Sequence, residues 1–227
     1  MTFRIAAVLA FLSFNSFAQA PAVPADVSPL YIVTYVEVQP SARDQGAALM
    51  KQYRDASRSS AGNLRAVAVQ RTRRPGQFVL VSAWQNKAAW DAALPQLQGP
   101  RDKLVAIRNA PLDDRFNNSL SVGPMDVPVA AGATFGVTHV DVIPPQKDNA
   151  LAALKVLGDA NRAAPGNLRF EIVQQTNRPN HFTVFEMWRS REAFESNSQS
   201  AHQREFRDKL SPMAGALYDE RLYEILE

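Results

Sequence analysis

The sequence has 227 residues, of which 46% are hydrophobic and 21% charged, proportions that are typical of a globular protein. Its formal net charge of +3 is too small, and its arginines are too scattered, to indicate binding of nucleic acid. The absence of cysteine excludes disulfides, thiolate chemistry and cysteine-based zinc sites.

Residues 1–22 are predicted to be a cleaved export signal. Arg4 supplies a short basic start, residues 5–14 form an apolar run that is too short to span a bilayer, and small residues follow around Ala20. Because Pro21 would hinder cleavage directly after Ala20, we expect release near Val23. The alternative is a buried N-terminal helix or strand. The mature chain is expected to be periplasmic or secreted, and no later stretch is apolar for long enough to span a membrane.

Residues 30–121 alternate between strand and helix periodicities. Near the start, apolar residues recur at every second position, with Ile32 and Val36 on one face and Val33 on the other. Gly62 is expected to end the first helix, because glycine adopts a left-handed conformation without a steric penalty. We predict strands at 30–38, 64–72, 78–85 and 115–122, a helix at 41–59, and a helix at 87–108 that Pro95, Gly99 and Pro100 interrupt.

The same pattern returns 104 residues later. The segment Gly62-Asn63-Leu64-Arg65 recurs as Gly166-Asn167-Leu168-Arg169, and 23 of the 59 positions from 33 to 91 are identical to their partners at this offset. Such a match identifies an internal duplication, and two copies make a pair rather than a solenoid. We predict strands at 134–142, 167–176, 181–189 and 217–226, helices at 146–163 and 191–210, and a linker rich in small residues and proline at 122–132.

Each copy therefore has the element order β-α-β-β-α-β. This order folds into a four-stranded antiparallel sheet with both helices on one face, the ferredoxin-like arrangement. The other face of such a layer is bare, and two fused copies can cover each other as the subunits of a twofold dimer do. The predicted fold is thus α+β, with ferredoxin-like repeats at 30–121 and 133–227 that form a pseudo-dimeric α+β barrel within one chain.

Three segments of the second copy resemble the antibiotic-biosynthesis-monooxygenase-like (ABM) family of dimeric α+β barrels. Residues 164–169 resemble the family's Pro-Gly turn, residues 185–188 its Glu-x-Trp strand, and residues 193–206 its last helix, which bears histidine. The resemblance implies a pocket between the sheet and the helices. The family includes cofactor-free oxygenases of aromatic polyketides, quinol monooxygenases, haem-degrading enzymes, isomerases and members with no known activity.

The two copies differ where the family carries its functional groups. The glutamate of the Glu-x-Trp signature is Glu186 in the second copy but Ser82 in the first. Where family members commonly have a histidine early in the last helix, the second copy has Asn197 and the first has Ala93. His202 matches a second, less constant histidine. The second copy is therefore expected to hold the better-equipped pocket.

A second difference lies on the first strand of each copy. The position that is asparagine in the haem-degrading branch of the family is His139 in the second copy and Tyr35 in the first. The candidate site residues combine these positions with one face of the Glu-x-Trp strand. They are Glu186 or His202 as the catalytic base, Trp188 and Phe182 for stacking on a substrate, His139 or Asn197 for holding its oxygen, and Tyr35, Trp84 and Phe78 as a secondary pocket in the first copy.

Each candidate also has a structural interpretation that the sequence leaves open. The alternatives are core packing for Trp188, an ion pair with Arg169 or Arg189 for Glu186, a hydrogen-bonded strand histidine for His139, and surface exposure for His202. His181 is expected to be solvated, and the three histidines have no metal-ligand spacing, so no metal site is predicted.

The resemblance implies a cofactor-independent monooxygenase that acts on a small aromatic or quinol-type substrate. In such a reaction a base removes a phenolic proton, and the electron-rich anion reacts with O2 without flavin or metal. The alternatives are a non-catalytic periplasmic protein that binds a small ligand, and a haem-binding or haem-degrading protein with His139 or His202 as axial ligand. No cofactor other than haem in that last case is expected, and the chain is expected to be a monomer or to form a further homodimer.

Overall fold

The computed structural model describes residues 28–125 and 131–227, so the predicted export signal and residues 126–130 of the predicted linker lie outside the described residues. Within the described part, no helix is long and apolar enough to cross a membrane. The first half comprises β1 (Leu30–Glu37), α1 (Arg43–Ser59), β2 (Asn63–Arg71), β3 (Gln77–Trp84), α2 (Lys87–Ile107) and β4 (Asp113–Ser121). The second half comprises β5 (Thr134–Asp141), α3 (Lys147–Ala163), β6 (Asn167–Gln175), β7 (His181–Trp188), α4 (Arg191–Ser198), α5 (Ala201–Leu210) and β8 (Asp219–Ile225).

A glycine turn leads from the first helix of each half into its hairpin. Gly62 and Gly166 have φ angles of +78° and +85°, a conformation that residues with a Cβ atom rarely adopt. A Cβ atom at either position would also lie 2.6 Å from the Cβ of Ala89 or 2.7 Å from that of Ala193. Glycine is therefore required for two reasons, and this turn contains the longest identical run of the repeat.

The eight strands form one closed barrel in the order β1-β3-β2-β8-β5-β7-β6-β4, and all its pairs are antiparallel. Each half keeps the ferredoxin-like order, β4-β1-β3-β2 in the first and β8-β5-β7-β6 in the second. The halves join along two seams: Val69 of β2 pairs with Ile225 of β8, and Ser119 of β4 pairs with Val173 of β6. The predicted pseudo-dimeric α+β barrel is confirmed.

The hydrophobic core has three layers. One layer fills the barrel and takes residues from both halves, among them Tyr31, Val33 and Phe185. The other two lie between each sheet and its own helices, and include Ile32 in the first half and Phe182 in the second. Because successive strand residues point to opposite faces, β1 directs Val33 into the barrel and Ile32 towards the helices. Each half thus covers the face that the other would leave bare.

The second helix of the first half differs from the prediction. α2 runs without a break from Lys87 to Ile107 through Pro95 and Pro100. The predicted interruption was wrong because the residues whose carbonyl groups lose a helical partner, Asp91 and Gln96, are exposed, and water can hydrogen-bond those carbonyls. The buried residues on the opposite side keep the helix packed on the sheet.

The last helical segment also differs from the prediction, because it is interrupted where one continuous helix was expected. The single helix predicted at 191–210 is two helices, α4 and α5, with Ser200 between them. Ser200 has an extended backbone, and its side-chain hydroxyl accepts a hydrogen bond from the backbone N–H of Gln203. A serine that caps a new helix in this way competes with continuation of the preceding one.

Candidate functional site

Glu186 is buried on the helix-facing side of β7, with 3% of its surface exposed. Its neighbour across β5 is Gly136, where a Cβ atom would lie 2.7 Å from Cγ of Glu186. In the first half the corresponding pair is Ile32 opposite Ser82. The small residue of the pair is therefore Ser82 on β3 in the first half and Gly136 on β5 in the second half. Because Gly136 has no side chain, it leaves space for Glu186.

The Glu186 carboxylate accepts one hydrogen bond from a protein side chain: Nε1–H of Trp188 donates to Oε2 at 2.7 Å. Trp84 makes the equivalent bond to the hydroxyl of Ser82 in the first half, at 2.9 Å. Burial raises the pKa of Glu186 to about 7, although the Trp188 hydrogen bond favours the ionised form. The predicted alternative of an ion pair with Arg169 or Arg189 is not formed among the described residues: Arg169 lies 2.7 Å from Glu171, and Arg189 does not contribute to the electrostatics of Glu186. Glu186 thus has the acidity of a general base that works near neutral pH.

Tyr218, directly before β8, and Glu220, its second residue, are half-buried and lie within electrostatic reach of Glu186. Burial raises the pKa of Tyr218, and the carboxylates of Glu220 and Glu186 raise it further. The ring of Tyr218 packs edge-on against Phe206 of α5 at 6.3 Å, and the guanidinium of Arg207 lies 5.9 Å from its centre. We call Glu186, Trp188, Tyr218, Glu220 and Arg207 the Glu186 cluster. Sequence reasoning missed Tyr218, Glu220 and Arg207, because they carry no motif.

The two stacking candidates lie on the same face as Glu186. Trp188 is fully buried and packs edge-on against Phe194 of α4, with ring centroids 6.5 Å apart. Phe182 is buried in the core between the second sheet and its helices, together with Phe206. The structure therefore brings Glu186, Trp188 and Phe182 to one face, as the strand periodicity predicted.

His202 and Asn197 lie together at another place. Nε2 of His202 is 2.9 Å from Oδ1 of Asn161, 3.0 Å from Oδ1 of Asn197 and 3.0 Å from the hydroxyl of Ser200. His202 and Asn197 line a surface cavity of about 260 Å³ between α3 and α4, and neither Glu186 nor any other member of the Glu186 cluster lines it. The two candidate bases therefore do not share a cavity here.

His139 contacts Tyr35, its own counterpart in the repeat. The Tyr35 hydroxyl is 3.2 Å from Nε2 of His139, and the ring centroids are 5.5 Å apart. Burial, together with the charges of Arg115 and Arg221, lowers the pKa of His139 to about 4, so the neutral imidazole can accept the hydroxyl hydrogen. β5 directs this pair to the barrel side and Thr138 to the helix side, which separates His139 from Glu186.

The remaining candidates of the first half are divided between two layers. Trp84 is fully buried beneath the helices and packs edge-on against Trp90 at 5.3 Å. Phe78 and Tyr35 border a cavity of about 260 Å³ at one end of the barrel, which Arg221 and Tyr223 also line. The secondary pocket is therefore not a copy of the Glu186 cluster.

A larger cavity, about 460 Å³, lies across the seam between β4 and β6. In its lining, Nδ1 of His181 lies 2.8 Å from Oδ1 of Asp141, and His181 is half-buried rather than freely solvated. Arg115 and Arg178 also line it. Across residues 28–125 and 131–227, no three histidine, aspartate or glutamate side chains converge as metal ligands.

The fold and the buried glutamate define a tandem α+β barrel with a candidate acid–base group in one half. The chain belongs to the antibiotic biosynthesis monooxygenase family, whose sequence profile matches residues 29–95 and 136–209, one match in each half. The predicted family and its tandem arrangement are confirmed.

Solved structures with the same fold extend over nearly the whole described chain. A protein described as a candidate monooxygenase from Fusobacterium nucleatum superposes with a TM-score of 0.80 at 13% identity, over 89% of this chain and 94% of that one. An anthrone oxidase-like protein superposes with a TM-score of 0.69 at 12% identity, over 89% and 93%. An uncharacterised protein from Synechocystis is 25% identical over 89 residues, which are 39% of this chain and 60% of that protein. The structural likenesses, at such low identity, show the fold alone.

Proposed function

We propose that this protein is a cofactor-independent monooxygenase that acts on a small aromatic or quinol-type substrate in its second half. The observation that carries the proposal is the Glu186 carboxylate, which is buried beside Trp188 and has a pKa of about 7. The family, whose members generally work without a cofactor, and the monooxygenase-like structural neighbours support it. With the export signal predicted at residues 1–22, the proposed reaction would take place outside the cytoplasm.

The proposed reaction begins with transfer of a phenolic proton to the ionised Glu186. The resulting electron-rich anion reacts with O2, one oxygen atom enters the ring as a carbonyl, and the other leaves as water, so that a naphthol and O2 give a naphthoquinone and water. Trp188 and Phe182 supply apolar surface for the ring. Tyr218 and Glu220, which are half-buried beside Glu186, mark the proposed entrance.

The test is oxygen uptake and quinone formation with hydroxynaphthalene and quinol substrates, measured under air and under nitrogen. The rate is expected to rise with pH and level off above about 7, because the base must be ionised. Glu186→Gln is expected to lower kcat at least about 100-fold, since general base catalysis contributes on that order. Ser82→Ala, which removes the matching partner of Trp84 in the first half, is the control and is expected to keep the rate. Equal rates for wild type and Glu186→Gln would refute the proposal.

A second candidate, a non-catalytic ligand-binding protein of the same fold, is favoured by one observation. The cavities described above are not lined by Glu186, Trp188 or Phe182, which are almost fully buried. Tight binding of a naphthol without product over hours would select this candidate. For the haem alternative, Nε2 of His202 and Nε2 of His139 both already contact side chains, and a haem titration without a shift of the Soret band would exclude it.

A further inference from the structure

Two arginines related by the repeat meet inside the barrel, at the opposite end from Tyr35 and His139. Nη2 of Arg65 lies 2.6 Å from Oε2 of Glu171, and Nη2 of Arg169 lies 2.7 Å from Oε1 of the same carboxylate. The Tyr31 hydroxyl also donates to Glu171 Oε1, at 2.9 Å. The Glu171 side chain is fully buried, and those of Arg65 and Arg169 are 11% and 5% exposed.

The charges of this group do not balance. Among residues 28–125 and 131–227, two guanidinium groups share one carboxylate, so the ionised group carries one excess positive charge. The repeat explains the imbalance: the residue that corresponds to Glu171 in the first half is Val67, which adds no second carboxylate. A buried charge without a counterion is strongly unfavourable, because desolvation of an ion costs several kcal/mol.

The buried N–H donors of the two arginines also outnumber their hydrogen-bond acceptors. Nε and Nη1 of Arg65, and Nε, Nη1 and Nη2 of Arg169, are buried without an aligned acceptor in the described part of the chain. Although Nη2 of Arg169 is close to Glu171, it is not in line for a hydrogen bond. Each guanidinium carries a planar fork of N–H donors and cannot lose its charge. A single bound anion would supply both an acceptor for these donors and the negative charge that balances the group.

We propose that the barrel binds one small monovalent inorganic anion at the buried N–H groups of Arg65 and Arg169 that have no aligned acceptor. A halide fits the requirements, because it is spherical, accepts several N–H donors at once and balances the group to zero net charge. The site lies on the barrel side of β6 and not beside Glu186, so it is separate from the proposed oxygenase site and does not depend on it.

The test compares thermal unfolding in chloride and in gluconate, a bulky anion, at equal ionic strength. The wild-type Tm is expected to rise by about 4 °C between 10 and 500 mM chloride, taking half-saturation near 10 mM as an order-of-magnitude value, and to stay constant in gluconate. A crystal soaked in bromide is expected to show an anomalous peak within contact distance of Arg169.

Two charge variants are expected to change the chloride response in opposite directions, so the proposal can be tested even if one of them fails to fold. Arg169→Gln balances the charge and is expected to abolish the chloride response. Glu171→Gln leaves two unopposed guanidinium groups and is expected to lower the chloride concentration for half-saturation at least about tenfold. Arg115→Gln, at the other end of the barrel, is the matched control and is expected to keep the wild-type response.

Two results would overturn the proposal. One is a wild-type Tm that is the same in chloride and gluconate. The other is a bromide-soaked crystal with water alone beside Arg169.

Discussion

Glu186 and Gly136 show how a duplicated sheet acquires different chemistry in its two halves. The first half places Ile32 opposite Ser82, and the second places Gly136 opposite Glu186. Both pairs contain one small residue, but only the second puts a carboxyl group beneath the helices. Because that group has a single hydrogen-bond donor in Trp188, burial dominates and raises its pKa to about 7.

The raised pKa of Glu186 predicts a pH dependence of stability. Below about pH 4.5 the carboxyl is protonated in both the folded and the unfolded chain, and its contribution to stability is fully present. Between about 4.5 and 7 the unfolded chain ionises first, so stability falls as pH rises, by about 3 kcal/mol in total. Urea unfolding of wild type and Glu186→Gln at pH 5 and pH 8 measures the difference. A difference between the two proteins that does not change with pH would contradict the assignment.

The pairing of Gly136 with Glu186 predicts a coupled pair of substitutions. Gly136→Ile alone forces a large side chain against the glutamate and is expected to cost about 3 kcal/mol. Glu186→Ser in the same chain recreates the pair of the first half and is expected to recover about 2 kcal/mol of that loss. Chemical denaturation of both single variants and the double variant measures the coupling, and strictly additive losses would show that the two sites do not compete for space.

At the scale of elements, α2 and the α4–α5 segment show that the surroundings of a helix decide whether it continues past an unfavourable residue or ends. α2 continues through Pro95 and Pro100 because its exposed side tolerates unpaired carbonyls. The equivalent segment of the second half contains no proline but breaks at Ser200, where a side-chain cap replaces the helical hydrogen bonds. The break brings Ser200, Asn197 and His202 together with Asn161 of α3.

The cap at Ser200 predicts the cost of its removal. Ser200→Ala is expected to destabilise the protein by about 1 kcal/mol, because the backbone N–H of Gln203 in the first turn of α5 loses its side-chain acceptor. Ser200→Asp retains a capping oxygen and is expected to stay within about 0.5 kcal/mol of wild type. Denaturant midpoints of wild type, Ser200→Ala and Ser200→Asp measure the change in stability. If both variants lose the same stability, the effect comes from the contact of Ser200 with His202 and not from the cap.

At the scale of the whole molecule, the two seams make the halves interdependent. Strands β2 and β8, and strands β4 and β6, pair across the halves, and the barrel core takes side chains from both. Neither half can keep the barrel-facing side of its sheet buried without the other. The excess charge of Arg65, Arg169 and Glu171 also belongs to this scale, since Arg65 comes from one half and the other two residues come from the second.

This interdependence predicts a single unfolding transition. The three tryptophans report on separate halves: Trp188→Phe leaves reporters in the first half only, and a Trp84→Phe/Trp90→Phe variant leaves one in the second. When Val69→Ala is added at the β2–β8 seam, both fluorescence transitions are expected to shift together, because coincident transitions are the mark of cooperative unfolding. Midpoints that separate by several degrees would show that the halves unfold independently.

The sequence by itself determined the duplication, the element order and the two faces of each strand. These are local or periodic properties: a repeat offset, an alternation of apolar residues and a turn that only glycine satisfies. The same periodicity placed Phe182, Glu186 and Trp188 on one face, and the offset between copies exposed the exchange of Ser82 for Glu186.

Only the tertiary structure decided which residues meet. The contact between Tyr35 and His139, the shared carboxylate of Arg65 and Arg169, and the distance of His202 from the Glu186 cluster arise where separate halves or elements pack together. A repeat offset shows that two residues are equivalent but not that they touch, because contact across a pseudo-twofold axis depends on how the sheets close. The burial that sets the pKa of Glu186 has the same origin, since helices and strands distant in sequence exclude the water around it.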